Sequence, residues 1–257
     1  VEPLHGDDAR EFGPFAGSGG KNHSGYFISL NRNKKSLAID LKQEKGKRIL
    51  TELIKVSDVV VENFRPNTMR KLGFGWEQLQ AINPRVIYVS ISGFGQDTLP
   101  GYDTRPSYDM VAQGYSGLMS ITGPEGGPPC RVGSSVGDIF AGHQATIGVL
   151  AALLYREKTG RGQHFDGAMI DGLFTVLENA VVRYTINGEI PAPLGSAPPT
   201  IVPFQSFPTQ DNSHVIIELG NYNLWRSFCK LIGREDLADH PNYATNTLRT
   251  KHRQELE

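Results

Sequence analysis

The chain has 257 residues, 39% of them hydrophobic, enough for one large core or for one domain with a smaller companion. Its 26 Lys and Arg against 27 Asp and Glu leave a net charge of -1, which excludes a global field of the kind that gathers nucleic acid, so an anionic ligand must be met by local groups. Two cysteines, Cys130 and Cys229, fit neither a metal-ligand spacing nor a disulfide framework and read as packing residues in a reducing compartment.

No run reaches the roughly 20 apolar residues of a membrane span, and the charged tail has no lipidation pattern. A soluble protein with no membrane partner is therefore expected. The chain opens on Val1, Glu2, Pro3 and Leu4 with no initiating Met or signal peptide. These residues read as the end of a strand entering a loop, so the native start is expected upstream.

Residues 36–41 (SLAIDL) alternate like a strand, and residues 43–57 carry Ile49, Leu50, Leu53 and Ile54 at helical spacing. Residues 58–62 hold the buried-type run Val59, Val60 and Val61, residues 66–82 give a broken helical pattern, and residues 86–91 are another β-branched run. Strand, helix, strand, helix, strand at this spacing predicts parallel pairing through right-handed crossovers, a doubly wound α/β sheet. Ligands bind beyond the carboxyl ends of such strands, which nominates the loops 40–42, 62–65 and 92–95. No GxGxxG follows any of these strands, and residues 17–21 (GSGGK) lack the spacing and preceding strand of a phosphate loop.

Residues 138–156 suit a helix by their apolar positions Ile139, Ile147, Leu150, Ala151 and Leu154, with Gly160 just past the end. Asp138 stands at its start, after Gly137 and a Gly/Pro-rich stretch (123–127, then Pro128 and Pro129). In the plainest reading Asp138 is an N-cap that accepts the first free amides, worth about 1 kcal/mol. The same geometry suits chemistry, because a helix N-terminus keeps a carboxylate ionised at neutral pH, and an ionised carboxylate can attack a thioester carbonyl. Gly137 would allow close backbone approach, and the upstream Gly/Pro residues would let a loop fold over the site.

Residues 163–166 resemble a short strand and 169–184 a long helix. The Pro-rich stretch 191–203 suits an interdomain connection. Residues 203–207 and 214–219 read as a hairpin joined by 209–213, and a helix from 224 to 232 ends at Gly233. The predicted organisation is a large α/β domain over residues 1–190, a linker over 191–202, and the start of a smaller α+β domain over 203–257.

Several motifs carry a family resemblance: Val1, Glu2 and Pro3 with GDDAR (6–10), NRNKKSLAIDLK (31–42), DVVVENFRP (58–66), INPRVIYVSISGFG (82–95), SGLMSITG (116–123), Gly137 with Asp138, and TGRGQ (159–163). With these the chain resembles the class III coenzyme A transferases, the family of formyl-CoA transferase, carnitine CoA-transferase and the α-methylacyl-CoA racemases. NRNKKSLAIDLK, SGLMSITG and IVPFQSF (201–207) look most like the succinyl-CoA:glutarate branch.

The resemblance implies a Rossmann-like large domain, an interlocked homodimer, and CoA transfer from an acyl-CoA to a carboxylic acid. Asp138 matches the family's nucleophile, which forms a mixed aspartyl anhydride and then an aspartyl-CoA thioester. The positions that border CoA fall at Ile39, Asp40, Leu41 and Lys42, at Asn63, Phe64 and Arg65, at Lys71, and at Pro106, Ser107, Tyr108 and Asp109. Lys42, Arg65 and Lys71 would meet phosphates as cations, with a solvated surface charge as the bland alternative for each. The backbone of Ile39 and Leu41 would meet adenine edges, while Asn63 and Phe64, an amide and an aromatic at a strand's end, suit a ligand mouth. Tyr108, read without the family, is a core aromatic. No metal or organic cofactor is implied, since CoA enters as a substrate. A cytoplasmic location is expected, or the mitochondrial matrix in a eukaryote.

The sequence departs from some members at Pro3, where they have arginine, and at Ser92, where they have lysine. The family's first strand with its CoA-binding turn, and the C-terminal segment that returns to the large domain, have no counterpart here, so a fragment of a longer protein is expected. A racemase of the same family needs a histidine where Tyr108 stands, and a phenol of ordinary pKa about 10 is a poor base at neutral pH. His143, five residues past Asp138 on the helix, faces elsewhere and does not replace it. A non-catalytic CoA-binding protein is the alternative of another class.

Overall fold

The structure is a computed structural model that describes residues 1–17 and 23–257. The reading of residues 17–21 as unlike a phosphate loop therefore falls almost wholly outside the described residues. In chain order the strands are β1 (Phe15–Ala16), β2 (His23–Ser24), β3 (Val59–Glu62), β4 (Ile87–Ser92), β5 (His164–Ala168), β6 (Phe204–Pro208) and β7 (His214–Glu218). The helices are α1 (Gly25–Leu30), α2 (Glu44–Val56), α3 (Thr68–Leu72), α4 (Trp76–Ile82), α5 (Asp109–Tyr115), α6 (Val136–Thr159), α7 (Met169–Phe174), α8 (Asn179–Asn187), α9 (Tyr222–Leu231), α10 (Asn246–Lys251) and α11 (Arg253–Leu256).

The chain forms two compact units, one from Val1–Pro106 with Ala141–Met169, the other from Ser107–Phe140 with Ile170–Glu257. In the first unit β3, β4 and β5 make a parallel sheet in the order β3-β4-β5. Alternation along β4 sends Tyr88 to one face and Ile87 and Val89 to the other, as the period of two requires. The Tyr88 face packs on Leu50 and Ile54 of α2, Met69 of α3 and Leu79 of α4. The Ile87 and Val89 face packs on Ala145 and Ala152 of α6. Helices thus cover both faces, as a parallel sheet needs.

The helical pattern over residues 66–82 is broken for a local reason. Gly73 takes φ 90° and donates its N–H to the Arg70 and Met69 carbonyls, closing α3, and Phe74 drops into the core before α4 begins. The second unit contains the predicted hairpin, β6 and β7 pairing antiparallel with Phe204 opposite Glu218. Behind it α9 buries Trp225 and Cys229 with Leu219 and Ala238.

Three expectations need correction. Residues 36–41 form no strand; Ala38 makes only an isolated parallel bridge to Glu2, and Ile39 turns into the core instead. The long helix expected over 169–184 is interrupted between α7 and α8, where Glu178 adopts φ 42°, a left-handed conformation no helix continues through. The apolar positions that suggested α6 are mostly not the packed ones: Ile147, Leu150 and Leu154 are exposed, while the small Ala145 and Ala152 allow the helix close to the sheet. Among the described residues α6, with 24 residues, is long and apolar enough by length and composition alone to cross a membrane, and it packs Ala145 and Ala152 against the sheet. Of the two cysteines Cys229 is buried and Cys130 only half-buried, and both are free thiols.

Candidate active site

Asp138 is the third residue of α6, and its position departs from the N-cap reading. The first turn of a helix leaves N–H groups without partners, and here a different carboxylate meets one of them. Asp109, buried at the start of α5, accepts the Gly137 N–H on Oδ1 at 2.8 Å. Its Oδ2 accepts Nε2 of Gln113 at 2.7 Å, and Gln113 Oε1 accepts the Val132 N–H at 2.8 Å. None of the described residues donates a hydrogen bond to the carboxyl of Asp138, which stands at an exposed position.

The ionisation expectation is also corrected in direction. Desolvation by surrounding protein, and then the charge of Asp109, raise the Asp138 pKa above the ordinary aspartate value of 3.8. The residue presents surface to water but its carboxyl is crowded, so the shift is upward without being that of a fully buried acid. A more basic carboxylate is a stronger nucleophile once ionised. Upstream, the Gly/Pro stretch closes on itself: the Cys130 N–H donates to the Thr122 carbonyl at 2.7 Å and the Gly127 N–H to the Pro124 carbonyl at 3.0 Å. Gly123, at φ 143°, lies so close to Pro128 that a Cβ there would sit 2.7 Å from its carbonyl oxygen.

Ser107, Tyr108 and Asp109 lie in the same unit as Asp138. Tyr108 is 84% exposed, so it is no core aromatic. Asp109 was expected at a CoA border, and its carboxylate is engaged on both oxygens by the protein. Gln113, fully buried, was not singled out from sequence; an i, i+4 Asp and Gln on a short helix is too common a pattern to signal anything.

The remaining nominated residues lie in the first unit. Ile39 is buried and gives its N–H to the Glu2 carbonyl at 3.0 Å, while Asp40 Oδ1 accepts the Lys42 N–H at 2.9 Å and so shapes the turn into α2. Leu41 packs against the core and Lys42 is exposed. Gly46 makes this turn fit, because a Cβ there would lie 2.0 Å from the Asp40 carbonyl oxygen. Arg65 and Lys71 are exposed, as is Pro106.

The turn after β3 has a buried support that sequence reasoning missed. Glu62 Oε2 accepts the Phe64 N–H at 2.6 Å and its Oε1 accepts the Tyr88 hydroxyl at 3.0 Å. Asn63 donates Nδ2 to the Ile91 carbonyl at 2.8 Å, leaving Phe64 exposed at the strand's end. The loop 92–95 is held likewise: Ser92 Oγ accepts the Gly95 N–H, and Asp166 accepts the N–H groups of Gln96 and Asp97. Gln96 Oε1 in turn accepts the Asn67 N–H at 3.0 Å, tying the two strand-end loops together. Register explains the grouping, since Glu62, Ser90 and Asp166 are direct neighbours across β3, β4 and β5. Burial raises the Glu62 pKa, with the charge of Asp166 adding to it.

A parallel sheet with its carboxyl-end loops pinned, and a lone carboxylate at the start of a separately braced helix, define an α/β protein with a candidate carboxylate nucleophile. No group of three or more His, Cys, Asp or Glu among the described residues could hold a metal ion.

The profile of CoA-transferase family III matches residues 1–257. The chain is 42% identical over 246 residues to an acetyl-CoA:oxalate CoA-transferase of Acetobacter aceti, covering 95% of this chain and 61% of that protein. It is 40% identical over 257 residues to a succinate–glutarate CoA-transferase of Agrobacterium fabrum, covering 99% of this chain and 64% of that one. A CAIB/BAIF family protein from Brucella suis superimposes with a TM-score of 0.83 at 37% identity, over 99% of this chain and 67% of that structure. The chain belongs to CoA-transferase family III, and it spans less than two thirds of the length of these two curated relatives.

Proposed function

We propose that the protein moves coenzyme A from an acyl-CoA thioester to a carboxylic acid, with Asp138 as the nucleophile. The observation that carries this reading is the Asp138 carboxyl itself, unbonded by the described residues and made more basic by burial and Asp109, on a helix start whose amide is satisfied by another group. A carboxylate needed only as a cap would be bonded to that amide.

The chemistry follows in balanced steps. An Asp138 oxygen attacks the thioester carbonyl carbon and the C–S bond breaks, leaving a mixed anhydride and CoA thiolate. The thiolate attacks the aspartyl carbonyl of the anhydride, the donor carboxylate leaves, and an aspartyl-CoA thioester remains. The acceptor carboxylate attacks that thioester, CoA thiolate leaves again, and a second anhydride forms. Thiolate attack on its acceptor carbonyl gives the new acyl-CoA and frees Asp138. Every step exchanges one acyl bond for another, so neither metal nor organic cofactor enters; CoA is a substrate.

In this proposal Ile39, Asp40, Leu41, Lys42, Asn63, Phe64, Arg65 and Lys71 border CoA, the three cations at its phosphates, with Pro106, Ser107 and Tyr108 alongside. Succinyl-CoA as donor follows the resemblance to the succinyl-CoA:glutarate branch, and a dicarboxylate as acceptor accords with the relatives' names, which pair acetyl-CoA with oxalate and succinate with glutarate. The sheet is read as part of a doubly wound Rossmann-like domain over residues 1–190, joined through 191–202 to a smaller α+β domain. The exposed stripe Ile147, Leu150 and Leu154 on α6 supports a homodimer, because so much aliphatic surface on one helix face calls for a partner. Placement in the cytoplasm, or in a mitochondrial matrix, is part of the same proposal.

Incubating the complete natural protein with succinyl-CoA and a panel of carboxylates tests the activity. Formation of a second acyl-CoA at the expense of succinyl-CoA is expected with at least one dicarboxylate. CoA binding without any exchange would instead make it a non-catalytic binder, and exchange of the α-proton of a branched acyl-CoA would make it a racemase.

A further inference from the structure

We propose that Asp109 and Gln113 are a positioning pair that fixes the backbone carrying Asp138, and that they act through the polarity of four hydrogen bonds. The inference rests on the reading of Asp138 as nucleophile and adds two residues to it. Four residues apart on α5, the two side chains share one helix face, and both are buried. Gln113 Oε1 takes the Val132 N–H, Gln113 Nε2 points to Asp109 and, at 3.4 Å, to the Ser134 carbonyl, and Asp109 takes the Gly137 N–H. The pair therefore grips the segment at residues 132, 134 and 137, the last of them the neighbour of Asp138.

Burial makes this grip directional. A buried N–H that loses its acceptor cannot turn to water, so Gly137 is tied to α5, and the half-buried Val132 is held beside it through Gln113. The network also fixes the amide orientation of Gln113, because the Val132 N–H requires the oxygen on its side. Two apolar residues of similar volume would fill the same space without any charge to desolvate, but they would leave Val132 and Gly137 unheld. Asp109 is in addition the one charged group among the described residues that acts on the Asp138 carboxyl, and its sign makes that carboxyl more basic.

The polarity can be inverted, which gives the test. In Asp109→Asn two NH2 groups face each other, and in Gln113→Glu two carboxylates do. In the double variant the introduced amide at 109 again accepts from Gly137 and donates to the introduced carboxylate at 113, which still accepts from Val132, and only the long 3.4 Å bond to the Ser134 carbonyl is lost. In the complete natural protein each single variant is expected to lower kcat about 10²-fold, the usual cost of a misplacement near 1 Å, with KM for the acyl-CoA little changed. The double variant should recover most of the loss. The backbone amides of Val132 and Gly137 should exchange faster with solvent in the singles and regain protection in the double. Wild-type kcat in both singles, a rise in KM alone, or a double variant carrying the product of the two losses with a matching fall in Tm would each overturn the proposal. An absence of any Asp138 adduct in the wild-type protein would overturn the nucleophile reading instead, and the amide protection would still decide whether the pair holds the segment.

Discussion

The turn after β3 and the start of α6 are built by one device put to different ends. In each, a buried carboxylate accepts a backbone N–H beside or at an exposed residue: Glu62 holds the exposed Phe64, and Asp109 holds the buried Gly137 next to the exposed Asp138. The second oxygen differs. That of Glu62 meets the Tyr88 hydroxyl inside the sheet layer, close enough to Asp166 for the two charges to repel, and its pKa is raised. That of Asp109 meets a neutral amide donor on its own helix, and its first oxygen lies at the positive end of a 24-residue helix. The comparison teaches that the turn after β3 rests on an acid that burial pushes toward protonation, whereas the segment before Asp138 rests on one whose two oxygens are each taken by an N–H donor.

The sharpest break of the second region is Asp138→Asn in the complete natural protein, which keeps size and helix while removing the nucleophile. Loss of CoA exchange by at least about 10³-fold is expected in a steady-state assay, as for removal of other nucleophiles. In the first region Gly46→Ala tests the turn that carries Asp40 and Lys42. Its Cβ cannot fit 2.0 Å from a backbone oxygen, so α2 or the turn must shift. A stability loss of about 3 kcal/mol by chemical denaturation is expected, together with weakened CoA binding.

A smaller effect separates the two carboxylates. Tyr88→Phe leaves Glu62 with a bare buried oxygen and should cost about 1–3 kcal/mol. Glu62→Gln has the smallest effect, because the Tyr88 hydroxyl can accept from the new amide while the amide oxygen takes the Phe64 N–H. Its signature lies in pH. A carboxyl whose folded pKa is raised contributes stability fully below its unfolded value, ordinarily near 4.5, and loses it as pH rises through the raised value. The stability of wild type relative to Glu62→Gln should therefore fall as pH is raised from below that range toward neutrality. A difference that stays flat, or grows with pH, would place Glu62 among ordinary paired carboxylates.

The parts of the fold that were legible are those set by local pattern. Val59, Val60 and Val61 and the β-branched run of β4 announced two parallel strands, of which β4 is buried while Val61 of β3 is exposed, and Leu50 and Ile54 announced the face of α2. The broken helical pattern over residues 66–82 announced α3 and α4, although the turn at Gly73 that separates them came only from the structure. Elsewhere tertiary contacts decided. Residues 36–41 alternate like a strand, yet only Ala38 finds a bridge partner. On α6 the large aliphatics drew attention to the wrong face, because close approach to β4 selects alanine. At the candidate site Asp138 was legible as a helix-start carboxylate, but its cap was not, since Asp109 lies 28 residues away in sequence. The supporting roles of Glu62, in a nominated loop, and of Asp166 were missed for the same reason, since their partners are brought by strand register and loop return. Gln113 was missed because its i, i+4 pairing with Asp109 is too common a pattern.

The central claim is that Asp138 becomes covalently attached to the acyl group and then to CoA. Mass spectrometry of the complete natural protein, quenched during turnover with succinyl-CoA and digested, reads this directly. The account predicts a peptide containing Asp138 that carries the mass of CoA as a thioester and is absent from Asp138→Asn. Undiminished CoA exchange by Asp138→Asn, with no adduct on that peptide in wild type, would contradict it.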